Sequence, residues 1–178
     1  MSKLKQGKDT LLYIRLWENR ATDDGTKIKF RTEHTVDYAV NNETLQTDDG
    51  ALVVISDGEN TISATAYAYE DEDGAVPLYK LLRNYMLAKK KLEIWEVERY
   101  IKTGEAHDAR YFQGYLISVS EPKPVEGASE VSLEFALEGH GVDGLVTLTE
   151  AQSSELSASQ YEFEQIQALR DDEPSVEQ

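Results

Sequence analysis

The sequence predicts a mainly β fold, a β-sandwich flanked by one α-helix, from three observations. Apolar and polar residues alternate with a period of two along most of the chain, as in half-buried antiparallel strands. Turn-forming residues cluster between the alternating runs. A single segment has the 3.6-residue period of an amphipathic helix. A chain of 178 residues is long enough for one sizeable core and too short for two comfortable ones.

Period-two alternation locates the strands. It is cleanest where Val131, Leu133, Phe135 and Leu137 alternate with polar residues. Near the N-terminus, an apolar face (Leu12, Ile14, Leu16) lies opposite an amphipathic one (Tyr13, Arg15, Trp17). A third apolar set shares one parity: Ile28, Phe30, Val36, Tyr38 and Val40. Further strands are predicted at residues 51–56, 61–69, 92–101, 111–120 and 144–148. Loops are predicted at residues 22–25, 41–50, 57–60, 103–109 and 121–127.

One helix is predicted at residues 76–90. Its apolar residues have the spacing i, i+3, i+4, i+7 and i+8: Leu78, Leu81, Leu82, Tyr85 and Met86. Pro77 suits the first turn, and the lysines at 89–91 suit the negative end of the helix dipole. We expect this helix to cover the core of the sandwich.

Two segments are too polar for a compact domain. Residues 41–50 offer only Leu45 for burial and lie between strand-like runs, so they are interpreted as the tip of a long hairpin. Residues 151–178 contain sparse apolar residues and end in the acidic stretch RDDEPSVEQ. We expect this tail to be mobile on its own.

The composition of the chain excludes several classes of function. The chain carries 34 acidic against 18 basic residues, a net charge of −16, and should therefore repel nucleic acid and anionic membranes. The negative charge has two interpretations. It can simply keep the surface well solvated, or it can serve to let DNA pass along the protein without binding to it.

Cysteine is absent, which excludes disulfides and thiolate chemistry. No apolar run approaches the roughly 20 residues of a membrane span, and the N-terminus does not resemble a secretion signal.

The sequence offers no catalytic, metal or cofactor site. His34, His107 and His140 share no metal-ligand spacing, and the GHGVDG run around His140 matches no phosphate-binding loop. Residues 70–74 are acidic but lack the ligand pattern of an EF-hand, so a solvated turn is favoured. We expect no cofactor and no enzymatic activity.

Five segments together resemble the major tail protein family of siphophages that infect Gram-positive bacteria. In order they are GKDTLLYIRLW, FRTEHTVDY, LEIWEVER, YFQGYLISVSE and VSLEFALEGHGVDGLVTLTEAQ, and they extend over residues 7–152. No single motif is diagnostic, since the specificity lies in their order and spacing.

The resemblance implies a tail-tube β-sandwich domain at residues 1–152 and an acidic C-terminal extension at 153–178. A long hairpin at about residues 33–69 would join those of neighbouring subunits in a continuous β-barrel. Hexameric rings would stack into the conduit for DNA during genome ejection. The implied partners are other copies of the chain, a tape measure protein in the lumen, and tail terminator and distal tail proteins at the ends. DNA would pass without specific binding, no membrane would be involved, and the protein would be assembled in the host cytoplasm into the virion tail.

On this interpretation six acidic residues are expected near the lumen or between rings: Asp37, Glu43, Asp48, Asp49, Asp57 and Glu59. Replacing several with lysine should leave assembly possible while slowing ejection. The alternative is an acidic β-sandwich binding module, either a DNA mimic or a baseplate carbohydrate binder. For the latter, Trp17, Trp95 and Tyr111 are the candidate platform residues.

Overall fold

The computed structural model describes residues 4–70 and 73–157. The chain divides into two units, Met1–Leu148 and Thr149–Gln178. The described part of the first unit contains ten strands: β1 (Thr10–Leu16), β2 (Thr26–Lys27), β3 (Arg31–Asp37), β4 (Val40–Thr47), β5 (Gly50–Asp57), β6 (Asn60–Tyr67), β7 (Lys91–Thr103), β8 (Ala106–Ser120), β9 (Glu130–Leu137) and β10 (Val142–Val146). One helix, α1 (Leu78–Leu87), lies between β6 and β7. The mainly β prediction is confirmed.

Eight strands form one antiparallel sheet in the order β2-β1-β7-β8-β9-β6-β3. The eighth, β10, pairs with the N-terminal half of β8, in line with β9, which pairs with the C-terminal half. The sheet folds back on itself, because side chains of β3 reach strands at the opposite end of the sheet order. Arg31 donates a hydrogen bond to the Thr10 carbonyl, and His34 Nε2 lies 2.7 Å from Glu96 Oε1. The two layers of the sandwich thus come from a single sheet.

The core lies between these two layers. The alternation that predicted β9 is confirmed, since Val131, Leu133 and Phe135 are buried and Leu137 is partly buried against the core. Helix α1 packs Leu82 into the core, as its spacing predicted. The buried core residues come from five strands, the β2–β3 connection and α1: Leu12, Ile14, Ile28, Ile62, Ala64, Ala66, Leu82, Leu92, Ile94, Phe112, Leu116, Val131, Leu133 and Phe135.

Several local predictions were wrong. The loop at residues 41–50 is instead strand β4, with a turn only at its end. The loop at 103–109 shrinks to a two-residue turn between β7 and β8. Phe30 does not share the buried face of Ile28, because its positive φ of 53° turns its side chain outward to 64% exposure. Pro77 was predicted in the first turn of α1, but it is the N-cap residue, immediately before the first helical residue Leu78.

The second unit begins with helix α2 (Glu150–Ser157), where a mobile tail was expected. Thr149 and Gln152 form a reciprocal capping box: the Thr149 amide donates to Gln152 Oε1 at 3.0 Å, and the Gln152 amide donates to Thr149 Oγ1 at 3.3 Å. The acidic end predicted to be a mobile extension lies outside the described residues. No helix in the described ranges is both long and apolar enough to cross a membrane.

Candidate functional site: an exposed hairpin and an acidic sheet face

The hairpin that the sequence predicted is present and consists of two ladders. Its root is the β3–β6 pair within the eight-stranded sheet. Beyond the root, β4 and β5 form a separate two-stranded sheet from Val40↔Asp57 to Thr47↔Gly50. We call this distal part, residues 40–57, the arm. Every residue of both arm strands is exposed.

The arm leaves the sheet at a tightly built joint. The Gly58 amide donates a hydrogen bond to the Ala39 carbonyl at 3.2 Å. A Cβ on Gly58 would clash with the carbonyl group of Ala39. The Asn60 side chain accepts a hydrogen bond from the Ala39 amide at 3.0 Å and donates one to the Gly139 carbonyl at 2.9 Å. Asn60 therefore connects the arm to the turn between β9 and β10.

The six acidic residues predicted as functional are all exposed, but they do not form one cluster. Asp48 and Asp49 occupy the turn at the tip of the arm. Glu43 is paired with Val54 and Asp57 with Val40, which places them on opposite faces of the arm. The remaining two are near the joint: Asp37 ends β3, and Glu59 lies between β5 and β6. None of the six forms an ion pair with another described residue.

Next to the arm lies a second surface, which sequence reasoning did not identify. We call it the acidic sheet face: the outward positions of β3, β6, β9 and the C-terminal half of β8. Small hydroxyl side chains and carboxylates dominate it, and none of its positions is Lys or Arg. Its members, placed by the register, are Glu33, Thr35, Asp37, Thr61, Ser63, Thr65, Tyr67, Tyr115, Ser118, Ser120, Glu130, Ser132, Glu134 and Ala136.

Three carboxylates of this face, Glu33, Glu130 and Glu134, were missed because no local sequence motif marks them. The available signal was the alternation in β9, whose inward residues are apolar while Glu130, Ser132 and Glu134 point outward. Only the register brings these residues beside the hydroxyls of β6, for example Glu134 opposite Ser63.

The inner side of the folded sheet has one polar, open end. A groove of about 670 Å³ there is lined partly by Tyr38, Glu96, Arg110 and Asp143. Burial raises the pKa of Glu96, while the nearby charges of Lys5, Arg31 and Arg110 oppose that rise. Most charged groups in this groove are paired: Arg110 with Asp143 at 3.2 Å, Glu96 with His34, and Glu98 with Lys5. The arrangement fits a structural network between the sheet ends better than a catalytic site.

The histidines show no catalytic arrangement. His34 pairs with Glu96, and the buried His107 places Nδ1 3.0 Å from the Glu98 carbonyl. The His140 carbonyl accepts hydrogen bonds from Arg110. Across the residues that the structure describes, no three His or acidic side chains form a group that could bind a metal ion.

The aromatic residues considered for carbohydrate binding are engaged within the chain. Arg15 lies over the ring of Trp95 at 4.9 Å, and Trp95 contacts Tyr111 with ring centroids 5.3 Å apart. Trp17 is covered by the guanidinium of Arg20 at 4.2 Å. A sugar-binding platform needs free aromatic faces, whereas cations of the chain itself lie over Trp95 and Trp17, and the ring of Tyr111 contacts Trp95.

Comparison with known proteins agrees with this geometry. The family model described as phage tail tube protein matches residues 4–143. A putative tail protein of Staphylococcus phage phiMR25 is 29% identical over 167 residues, which is 92% of this chain and 83% of that protein. The SPP1 tail tube structure has a TM-score of 0.66 at 16% identity, covering 96% of each chain. A tail structure of an empty gene transfer agent (GTA) particle, refined helically with C6 symmetry, has a TM-score of 0.55 at 12% identity and covers 82% of this chain and all of that one.

Proposed function

Because the chain belongs to the phage tail tube protein family, we propose that its copies close into hexameric rings that stack into a tube, and that this tube conducts DNA during genome ejection. As a tail tube protein it is a structural component of the virion tail. The family is a structural one, and the site described above contains nothing that would add catalysis. The six-fold ring is proposed by analogy with the C6 symmetry of the GTA tail.

Two free strand edges support ring closure. In the described part of the chain, no strand pairs with the outer edge of β3. The C-terminal end of β8 is also open on one side, because its pairing with β7 ends at Tyr115 while the strand continues to Ser120. An unpaired strand edge offers backbone donors and acceptors to another chain.

Strand directions support the same closure. The four strands β8, β9, β6 and β3 are joined by antiparallel pairing throughout, so their directions alternate. If β3 of one copy lies beside the end of β8 in the next, that junction is antiparallel as well. Repetition around a ring then gives a closed barrel without edges, which removes the risk of uncontrolled edge pairing.

The acidic sheet face is the surface that we assign to the lumen. It is the outward side of the same four strands, so closure through their edges places it on one side of the barrel wall. A wall without Lys or Arg cannot form the multiple cation–phosphate contacts that retain duplex DNA. Its carboxylates repel phosphates over about 8 Å, the Debye length at physiological ionic strength.

The six acidic residues from the sequence remain part of this proposal. Asp37 belongs to the acidic sheet face, while Glu43, Asp48, Asp49, Asp57 and Glu59 lie on or beside the arm. We assign these five to contacts between neighbouring subunits or rings. A tape measure protein in the lumen, and terminator and distal tail proteins at the tube ends, complete the proposed set of partners.

Electron microscopy and sedimentation of the purified chain test assembly. The expected result is rings or tubes of constant width that form above a threshold protein concentration. A monodisperse monomer at all concentrations, including those that drive weak association, would contradict the proposal.

Cosedimentation of short duplex DNA with assembled tubes tests the lumen assignment. Tubes of the double variant Glu33→Lys/Glu134→Lys should retain DNA at low salt and release it at high salt, whereas wild-type tubes should not retain it. The matched control is Glu105→Lys, an exposed residue in the β7–β8 turn and outside the face. Equal DNA retention by the double variant and this control would show that the face does not line the lumen.

A further inference from the structure

The two strands of the arm differ in polarity in an unusual way. From Asn41 to Gln46, β4 is polar except for Leu45. From Ala51 to Ile55, β5 is apolar at every position. Polar and apolar residues are therefore separated by strand, with polar residues on β4 and apolar residues on β5. They are not separated by face of the hairpin.

The apolar residues of β5 are exposed on both faces of the arm. Leu52 and Val54 point to one face and are 54% and 42% exposed. Val53 and Ile55 point to the other and are 55% and 59% exposed. A strand covered on one side alternates apolar with polar residues, whereas a continuous apolar run is typical of a strand buried on both sides. Strand β9 of the same chain shows the one-sided pattern.

We propose that β5 is covered on both of its faces by other copies of this chain in the assembled tube, so that neither face of β5 lines the lumen. This inference rests on the proposed function and adds to it the orientation of the arm. It distinguishes the arm from the acidic sheet face, which presents one side to the lumen.

The charge pattern favours a second copy as the occupant. With 34 acidic against 18 basic residues, copies of the chain repel one another. Residues 51–56 carry no charge, and the acidic residues Asp48, Asp49, Asp57 and Glu59 lie before and after them. Two copies can approach at β5 with less repulsion than at a charged surface, and the apolar area gained there is the driving force for association.

Two double variants test each face separately. Leu52→Thr/Val54→Thr alters one face and Val53→Thr/Ile55→Thr the other, and threonine retains a high strand propensity. Both variants should raise the protein concentration needed for tube formation by about tenfold or more, because each places two hydroxyls in a covered surface. The matched control, Asn42→Thr/Gln46→Thr, changes two polar residues of β4 and should assemble like wild type.

The outcomes separate the inference from the proposed function. Normal assembly by either β5 double variant would show that one face is uncovered and would overturn the inference alone. Failure of the wild-type chain to form tubes would overturn the proposed function and the inference with it. Since the arm strands share no ladder with the eight-stranded sheet, all variants should keep the wild-type thermal unfolding of the subunit.

Thiol labelling gives an independent measurement, because the chain contains no cysteine. Val53→Cys and Val54→Cys place a thiol on opposite faces. Both should react with a maleimide in the unassembled chain and be protected at least about tenfold in wild-type-like tubes. Unchanged reactivity of either thiol after assembly would overturn two-sided coverage.

Discussion

The backbone of Ala39 occupies the space in which a side chain at Gly58 would begin. A Cβ on Gly58 would lie 2.6 Å from both the carbonyl carbon and the carbonyl oxygen of Ala39. These are backbone atoms at the joint of the arm, so they cannot move aside as a flexible side chain could. Only glycine permits this close approach, and the direction of the arm depends on it.

Gly58→Ala should therefore redirect the arm and impair assembly. We expect a higher threshold concentration for tube formation with little change in the thermal unfolding of the eight-stranded sheet, since the joint lies outside the core. Sedimentation and calorimetry measure the two effects. Gly144→Ala is the control, because a Cβ there meets nothing within 4 Å. Tubes of Gly58→Ala that form like wild type would contradict this role of the joint.

Gly114→Ala should damage the fold itself. A Cβ on Gly114 would be 2.1 Å from the carbonyl oxygen of Ala136, within the paired strands β8 and β9. Overpacking against backbone in a sheet should lower the free energy of unfolding by about 2–3 kcal/mol. Denaturant unfolding measures the loss. A stability equal to that of Gly144→Ala would show that the two strands can separate at little cost.

Asn60→Ala should loosen the arm. The substitution removes one hydrogen bond from the Ala39 amide and one to the Gly139 carbonyl, each worth about 1 kcal/mol. Hydrogen exchange of the amide of Ala39 should accelerate by roughly thirtyfold, the factor that corresponds to a combined loss of about 2 kcal/mol. Asn42→Ala, an exposed amide on β4, should leave exchange at Ala39 unchanged. Equal exchange in the two variants would mean that Asn60 does not hold the joint.

Tyr111 should make stability fall at alkaline pH. Burial and the hydrogen bond to Glu93 raise the pKa of Tyr111 from 10.0 to about 12. Between these values the unfolded chain has released the phenolic proton and the folded chain still binds it, so the free energy of unfolding decreases as pH rises. Tyr111→Phe should lack this part of the decrease. Unfolding of both proteins from pH 9 to about 12 checks the sign, and parallel curves would contradict it.

The same tyrosine gives a spectroscopic readout. In an absorbance titration, the phenol of Tyr111 in the folded wild-type chain should ionise near pH 12. That late step should be absent in Tyr111→Phe. Its persistence in the variant would assign it to another tyrosine.

Prediction from the sequence was most accurate for elements that have one face in the core and the opposite face in solvent. Strand β9 and helix α1 were predicted from periodicity alone, because burial of one face imposes the pattern. Strand β4 was missed for the same reason. It has no face toward the core, so its Asn, Thr and Glu residues follow no alternation, and only its pairing with β5 makes it a strand.

Contacts between distant residues could not be predicted from one sequence. His34 and Glu96 are 62 positions apart, and no local pattern connects them. Helix α2, by contrast, had a readable local signal, because Thr149 and Gln152 have the spacing of a capping box. The acidic sheet face falls between these cases: the sequence showed the carboxylates of β9, but only the register places them beside β6 and β8.

The independence of the arm from the eight-stranded sheet has an evolutionary consequence. A mutation in β4 or β5 leaves the core untouched, so it escapes the selection that acts on folding. It is nevertheless repeated in every copy, and at a contact between copies both partners change at once. We therefore expect substitutions in the arm to occur in groups that compensate for one another within the same gene. Each substitution in β9 is instead selected individually, by its effect on the packing of the core.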